Sequence, residues 1–244
     1  MTTTFLPSID RHHDLRTWVR TLRDLERDGV HGAVRSVPGR EDAPSGEYAF
    51  AVSTGPRRWL IGLLDARGPG EEAAATARAV AGHLRARSRT VRELPTLLTS
   101  ANDFVRREAR YRLVKATLIG VDALHHSVRI ALAGAVTPLV VGRTGDVVPL
   151  GDRGPALGLV AEAHWRETGP VRLAPGHLLA AVTDGVVERP CLDGTAFSLW
   201  RVAQTMRSHL GARPRAAVRA LLARVDAFGE DEGSDRTALA LRVA

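Results

Sequence analysis

Leu173-Ala174-Pro175-Gly176-His177-Leu178-Leu179-Ala180-Ala181-Val182-Thr183-Asp184-Gly185-Val186-Val187-Glu188 is the stretch on which the fold reading turns. The unbroken apolar run Leu178 to Val182 lies between Pro175-Gly176 and Asp184-Gly185, so it reads as a short buried strand ending in a turn. Upstream, about Trp165 to Leu173 reads as another strand. Downstream, about Ser198 to Leu210 and Pro214 to Phe228 carry helical spacing. The second helix opens on a proline, which the first helical position tolerates. Thr237 to Val243 reads as a last strand.

Further from that centre, strand-like runs at Leu113 to Val121, Val128 to Ala133, Leu139 to Val141 and Val147 to Leu150 are punctuated by His126-Ser127, Thr137-Pro138 and Thr144-Gly145-Asp146. They read as an antiparallel meander. Before them, Glu71 to Arg87 and about Val91 to Arg110 read as a helix pair. Tyr48 to Val52 and Trp59 to Leu64 read as a hairpin around Thr54-Gly55-Pro56. Leu15, Trp18, Val19, Leu22 and Leu25 fall at helical spacing and stop before Gly29. Residues 1–37 therefore read as a helical lead-in and 38–244 as the main domain. The lead-in's apolar stripe could pack on the domain or mediate a homodimer, and the pattern alone does not decide. Strands and helices come in separate groups without alternation, which argues an α+β fold with sheet packed on sheet and helices outside.

A chain of 244 residues, 44% hydrophobic and 25% charged, has ample material for a core. The single cysteine, Cys191, excludes an intramolecular disulfide and any multi-cysteine metal site. No apolar run reaches membrane-spanning length and no secretory leader is evident, so a cytoplasmic protein with no membrane partner is expected. The net charge of +7 comes almost wholly from arginine, with Lys115 the only lysine. That pattern looks like the coding bias of a GC-rich genome and carries little weight for nucleic-acid binding.

Three carboxylates sit where buried strands end: Asp65 before the glycine-rich turn Ala66-Arg67-Gly68-Pro69-Gly70, Asp184 in Thr183-Asp184-Gly185, and Asp235 before the last strand. Each alone is ordinary turn chemistry. Brought to one edge of a sandwich, their oxygens would suit a hard cation such as Mg²⁺ or Mn²⁺ and so activate water. Gly68 to Ala73 also fits the dinucleotide pattern G-x-G-x-x-A. Glu71 and Glu72 in the first helical turn would repel a pyrophosphate there, which sets that reading aside.

The quoted stretch resembles the L-x-P-G-D-x-L-x-x-x-T-D-G-V-x-E segment of the SpoIIE-type protein phosphatases, members of the metal-dependent PPM (type 2C) group. Gly194 and Phe197 resemble the D-G-x-x-F-G that follows it. Pro155-Ala156-Leu157-Gly158 resembles the x-P-L-G loop, and Ala133 to Leu139 the A-G-H-P-P-P-L segment. Ser45-Gly46-Glu47-Tyr48 resembles G-G-D-x-Y-D, Asp65 to Gly70 resembles D-V-S-G-H-G, and Ser234-Asp235-Arg236-Thr237 resembles D-D-x-T. The blocks run in order over about residues 45–244.

This resemblance implies a four-layer α-β-β-α sandwich of two antiparallel sheets flanked by helix pairs, with two Mn²⁺ or Mg²⁺ ions at one edge. The implied activity is hydrolysis of phosphoserine or phosphothreonine on a signalling protein, for example an anti-sigma-factor antagonist, as in short stand-alone phosphatases of bacterial stress signalling. Asp65 would bridge the metals, the carbonyl of Ala66 would be a ligand, Asp184 would hold one ion, and Glu47 would stand in for the first acidic residue. Asp65 and Asp184 are the expected catalytic carboxylates. The chain departs from the pattern at Glu47, one methylene longer than aspartate, at Phe50 in place of an acid, at Pro69 in place of histidine and at Ser234 in place of the first aspartate of D-D-x-T. Asp235 takes over that ligand role if the loop shifts by one residue. A weakened catalyst acting as a protein-binding regulator is the alternative reading.

Overall fold

The alternation of side chains along the strands sorts the apolar residues of this protein into three layers. The computed structural model describes residues 29–39, 44–68, 70–108, 113–229 and 233–243. The helix expected over 13–28, together with Pro69, lies outside the described residues.

One sheet contains β2 (Glu47–Gly55), β3 (Arg58–Ala66), β4 (Val114–Asp122), β5 (Ser127–Ala133) and β8 (Arg153–Gly154), in that order, with β9 (Glu167–Arg172) also on β5. The other has the order β1 (Val30–Val37), β11 (Arg236–Val243), β10 (Leu178–Val182), β6 (Leu139–Val141), β7 (Val147–Pro149). All pairings are antiparallel except the two-residue match of β5 with β8.

Along β3, Ile61 and Leu63 face the opposite sheet, whereas Leu60, Leu64 and Ala66 face α1 (Gly70–Arg87) and α2 (Leu94–Glu108). On the far side Leu178, Ala180 and Val182 of β10 pack under α4 (Ser198–Ser208) and α5 (Pro214–Asp226), while Leu179 and Ala181 face inward. The result is the expected α-β-β-α layering. Glu71 and Glu72 in the first turn of α1 and Arg85 and Arg87 in its last complement the helix dipole. Its buried face is mostly alanine, which lets the helix lie close on β2 and β3.

Two expectations are corrected. Residues 30–37, read as part of the helical lead-in, form edge strand β1, paired along its whole length with β11. The runs from 113 to 150 are not one meander, because β6 and β7 belong to the opposite sheet. The chain leaves β5 at Gly134, whose φ of 66° is a left-handed conformation that glycine adopts without strain. Val136 is already under α4 and α5.

Phe50 explains its own departure from the acidic pattern. Its side chain points away from the sheet-sheet seam into the helix-facing layer. The ring lies over its cross-strand partner Gly62, where a Cβ would stand 2.2 Å from it. No described helix is long and apolar enough to cross a membrane.

Candidate functional site

The inward-facing stripe of each central strand is apolar along most of its length and turns polar at one end of the sandwich. On β2, Ala51 and Ala49 lead to Glu47; on β3, Ile61 and Leu63 lead to Asp65; on β4, Val121 and Ile119 lead to Thr117 and Lys115. From the other sheet, Leu241 and Leu239 of β11 lead to Thr237, and Leu179 and Ala181 of β10 lead to Thr183. The period of two therefore gathers these side chains at one mouth of the seam.

Glu47 and Asp65 are directly opposed across the β2–β3 pair, and Asp65 and Lys115 across β3–β4. Asp184 opens α3 (Asp184–Val187), immediately past Thr183. The Lys115 ammonium reaches across the seam to form an ion pair with Asp184 Oδ2, the two side chains being 18% and 15% exposed. Cation and carboxylate thus tie one sheet to the other.

Below this pair, hydroxyls organise the floor. Thr183 N–H donates to the Thr237 carbonyl at 3.1 Å, and Thr237 N–H donates to Thr183 Oγ at 2.9 Å, continuing the β10–β11 ladder through a side chain. The Thr237 hydroxyl donates to Glu47 Oε2, and the Ser36 hydroxyl lies 2.6 Å from it. Burial pushes the Glu47 carboxyl up to about 8, against the pull of hydrogen bonds from Thr183 and Thr237 and with a further push from Asp65 and Asp235. Burial also raises the Asp65 carboxyl. Lys115 and Arg67 draw it down, while Asp235 and Glu188 push it up.

A carboxyl raised on folding binds its proton more tightly in the native state, so its contribution is full below about pH 4.5 and is lost as pH rises through about 8. In chelator-treated buffer, the urea midpoint of the wild type is expected to fall from pH 5 to pH 8. Glu47→Gln, which keeps the hydrogen-bonding shape without a proton to lose, should flatten that slope, with Asp65 supplying what remains. An unchanged slope in the variant would refute a neutral Glu47.

Asp235 reaches the same end of the fold but its carboxylate is engaged elsewhere. Oδ1 accepts from Gly39 N–H at 2.8 Å, and Oδ2 accepts from the Ser45 hydroxyl at 2.7 Å and Gly46 N–H at 2.9 Å. It fastens the segment leading into β2 to the segment leading into β11. Gly46 in turn lies close against the Ala66 carbonyl, since a Cβ there would stand 2.7 Å from that oxygen. Ser234 contributes its carbonyl to Arg236 at 3.4 Å. Among the described residues no three His, Cys, Asp or Glu side chains are arranged to hold a metal ion.

The structure thus brings Glu47, Asp65 and Asp184 to one seam and sets Asp235 in a supporting loop. Four participants were given no role in the motif reading: Lys115, which lies in no motif, and Thr183, Thr237 and Glu188, which the motifs include. Their signal was present in the strand period, because each of the first three continues an inward-facing apolar stripe.

The family model described as Stage II sporulation protein E (SpoIIE) matches residues 55–243, most of the chain. No curated protein sequence matches significantly. Among solved structures, the SiaA-PP2C domain of Pseudomonas aeruginosa superposes with a TM-score of 0.77 at 22% identity, covering 94% of this chain and 90% of that one. The RsbU and RsbW domains of a Mycobacterium tuberculosis protein give 0.75 at 22% identity, over 88% and 60% of the two chains. The PP2C phosphatase domain of SpoIIE from Bacillus subtilis, with a fragment of its regulatory domain, gives 0.72 at 17% identity, over 88% and 63%. This chain therefore spans less than two thirds of the latter two. At these identities the superpositions establish the fold.

Proposed function

Because the chain belongs to the stage II sporulation protein E family of phosphatases, we propose that it hydrolyses phosphoserine or phosphothreonine on a protein at the mouth of the sheet-sheet seam. The observation that carries this is the placement of Asp65 beside Lys115 on one sheet and of Asp184, from the other, in an ion pair with that lysine. Regulatory context enters by analogy: the M. tuberculosis relative joins an RsbU to an RsbW domain, and a phosphorylated anti-sigma-factor antagonist is the substrate we infer. The alternative of a binding-only regulator gains nothing from these structural relatives, among which are phosphatases of Bacillus subtilis, S. agalactiae and Mycobacterium smegmatis.

The donors present fit one divalent ion better than the two that the resemblance implies. Asp65 and the Ala66 carbonyl would offer oxygens on one side, and Mg²⁺ or Mn²⁺ commonly completes such a site with water. Asp184 is already paired with Lys115, burial raises the Glu47 carboxyl, and both Asp235 oxygens accept hydrogen bonds. When bound, such an ion supplies Lewis acidity that neutralises phosphoryl charge and acidifies water.

The chain's own residues do the rest. The Thr183–Thr237–Glu47 floor fixes the two strand ends that carry the carboxylates. The apolar stripe behind it closes the seam to water from within. Lys115 and Arg67 set a positive field beside Asp65 at the edge from which a phosphorylated loop could enter.

The test is release of phosphate from an aryl phosphate across a Mn²⁺ titration, then from phosphorylated anti-sigma-factor antagonist. Saturable, chelator-sensitive turnover supports the reading. A folded protein with no turnover on either substrate refutes it.

A further inference from the structure

All but one of the 34 lysine and arginine residues are arginine, and the single lysine, Lys115, lies in the seam, cross-strand from Asp65 and paired with Asp184. The exception has a physical sense. An ammonium is a compact point charge with three rotatable donors, whereas a guanidinium is a broad planar fork.

The neighbourhood also demands a cation. Asp65, Asp184 and Glu188 gather at this end, and partly buried carboxylates are costly without a counter-charge. Lys115 starts from the strand next to Asp65 and ends on Asp184, so its stem crosses from one sheet to the other. Meanwhile Ser234 offers only a neutral hydroxyl, and Asp235 is held by Gly39, Ser45 and Gly46.

We propose that the Lys115 ammonium is the fixed cation of this site, paired with Asp184 and beside Asp65 in place of a second divalent ion, so that the protein binds one divalent ion instead of two. Its charge is then always present and does not depend on metal supply. On the phosphatase reading, on which this consequence rests, the ammonium also offers its remaining N–H donors to phosphoryl oxygens.

The deciding experiment is calorimetric titration of Mn²⁺ into the full-length wild type, Lys115→Met and Lys115→Arg, with thermal melts to verify folding. The expected result is one ion per wild-type chain and one for Lys115→Arg. Lys115→Met should take a second ion, or bind the first at least tenfold more tightly, which corresponds to about 1.4 kcal/mol. Identical stoichiometry and affinity in Lys115→Met and wild type, including no binding in either, overturns the proposal. Should Lys115→Met not fold, two ions bound to the wild type overturn it and one ion sustains it. The two readings fail separately: one ion without turnover removes the phosphatase and leaves the fixed cation, whereas two ions with turnover does the reverse.

Discussion

Asp65→Asn is expected to lower Mn²⁺-dependent aryl phosphate hydrolysis at least about 100-fold while leaving the protein folded and no less stable at pH 8. The activity estimate follows from a comparison. Residues that merely orient metal ligands commonly cost 10- to 100-fold in metal affinity or activity when removed, so loss of a carboxylate that itself faces the ion should cost more. The stability expectation comes from the environment of the side chain. Burial raises the Asp65 carboxyl, which means its charge is carried at a cost to the fold above neutral pH. Asparagine keeps the shape and drops that cost. Lys115 retains Asp184 as a partner, so no cation is orphaned. Activity and urea midpoint measured on the same preparation check both halves. A variant with more than a tenth of wild-type turnover would remove Asp65 from the centre of the chemistry. A strongly destabilised one would make it a structural carboxylate.

That Asp65 could be singled out at all reflects what a chain writes locally. The apolar run Leu178 to Val182, ending in Asp184-Gly185, and the hairpin strand ending in Asp65 are strand-and-turn signals within a dozen residues, and they emerge as β10 and β3. The helix pairs were equally legible, since their buried faces repeat at 3.6 residues. What stayed hidden depends on partners far along the chain. Residues 30–37, with His31, Gly32, Arg35 and Ser36, lack strand composition and become a strand only because β11 lies alongside, with Val30 opposite Val243. Asp235 could be taken for a ligand because its acceptors' donors, Gly39 and Gly46, are 196 and 189 residues away. Lys115 belonged to no motif. Its role follows from register alone, once Asp65 is known to sit opposite it.

Close approach also makes Gly185 a position beside the seam where the smallest side chain does damage. A Cβ on Gly185 would stand 2.0 Å from the carbonyl oxygen of Asp235. That obstacle is backbone, so no rotamer change relieves it. Either the turn at Asp184–Val187 moves outward, carrying Asp184 away from Lys115, or the 233–235 segment moves, pulling Asp235 from its three donors. Overpacking of this kind costs typically 1–3 kcal/mol, and the upper end, about 3 kcal/mol, is expected here. For a chain of this size that lowers the melting midpoint by roughly 6–12 °C. Gly82 provides the control. It lies within α1 with nothing within 4 Å of an added Cβ. Gly82→Ala should therefore raise stability by about 0.5–1 kcal/mol through helix propensity. Scanning calorimetry on the two variants separates close approach from general intolerance of substitution. Because the Gly185 clash displaces one of the two charged walls of the seam, turnover should fall with stability in Gly185→Ala and stay at wild-type level in Gly82→Ala. A Gly185→Ala protein melting within 1 °C of wild type would mean that the Asp184 turn and the Asp235 loop do not press together in solution.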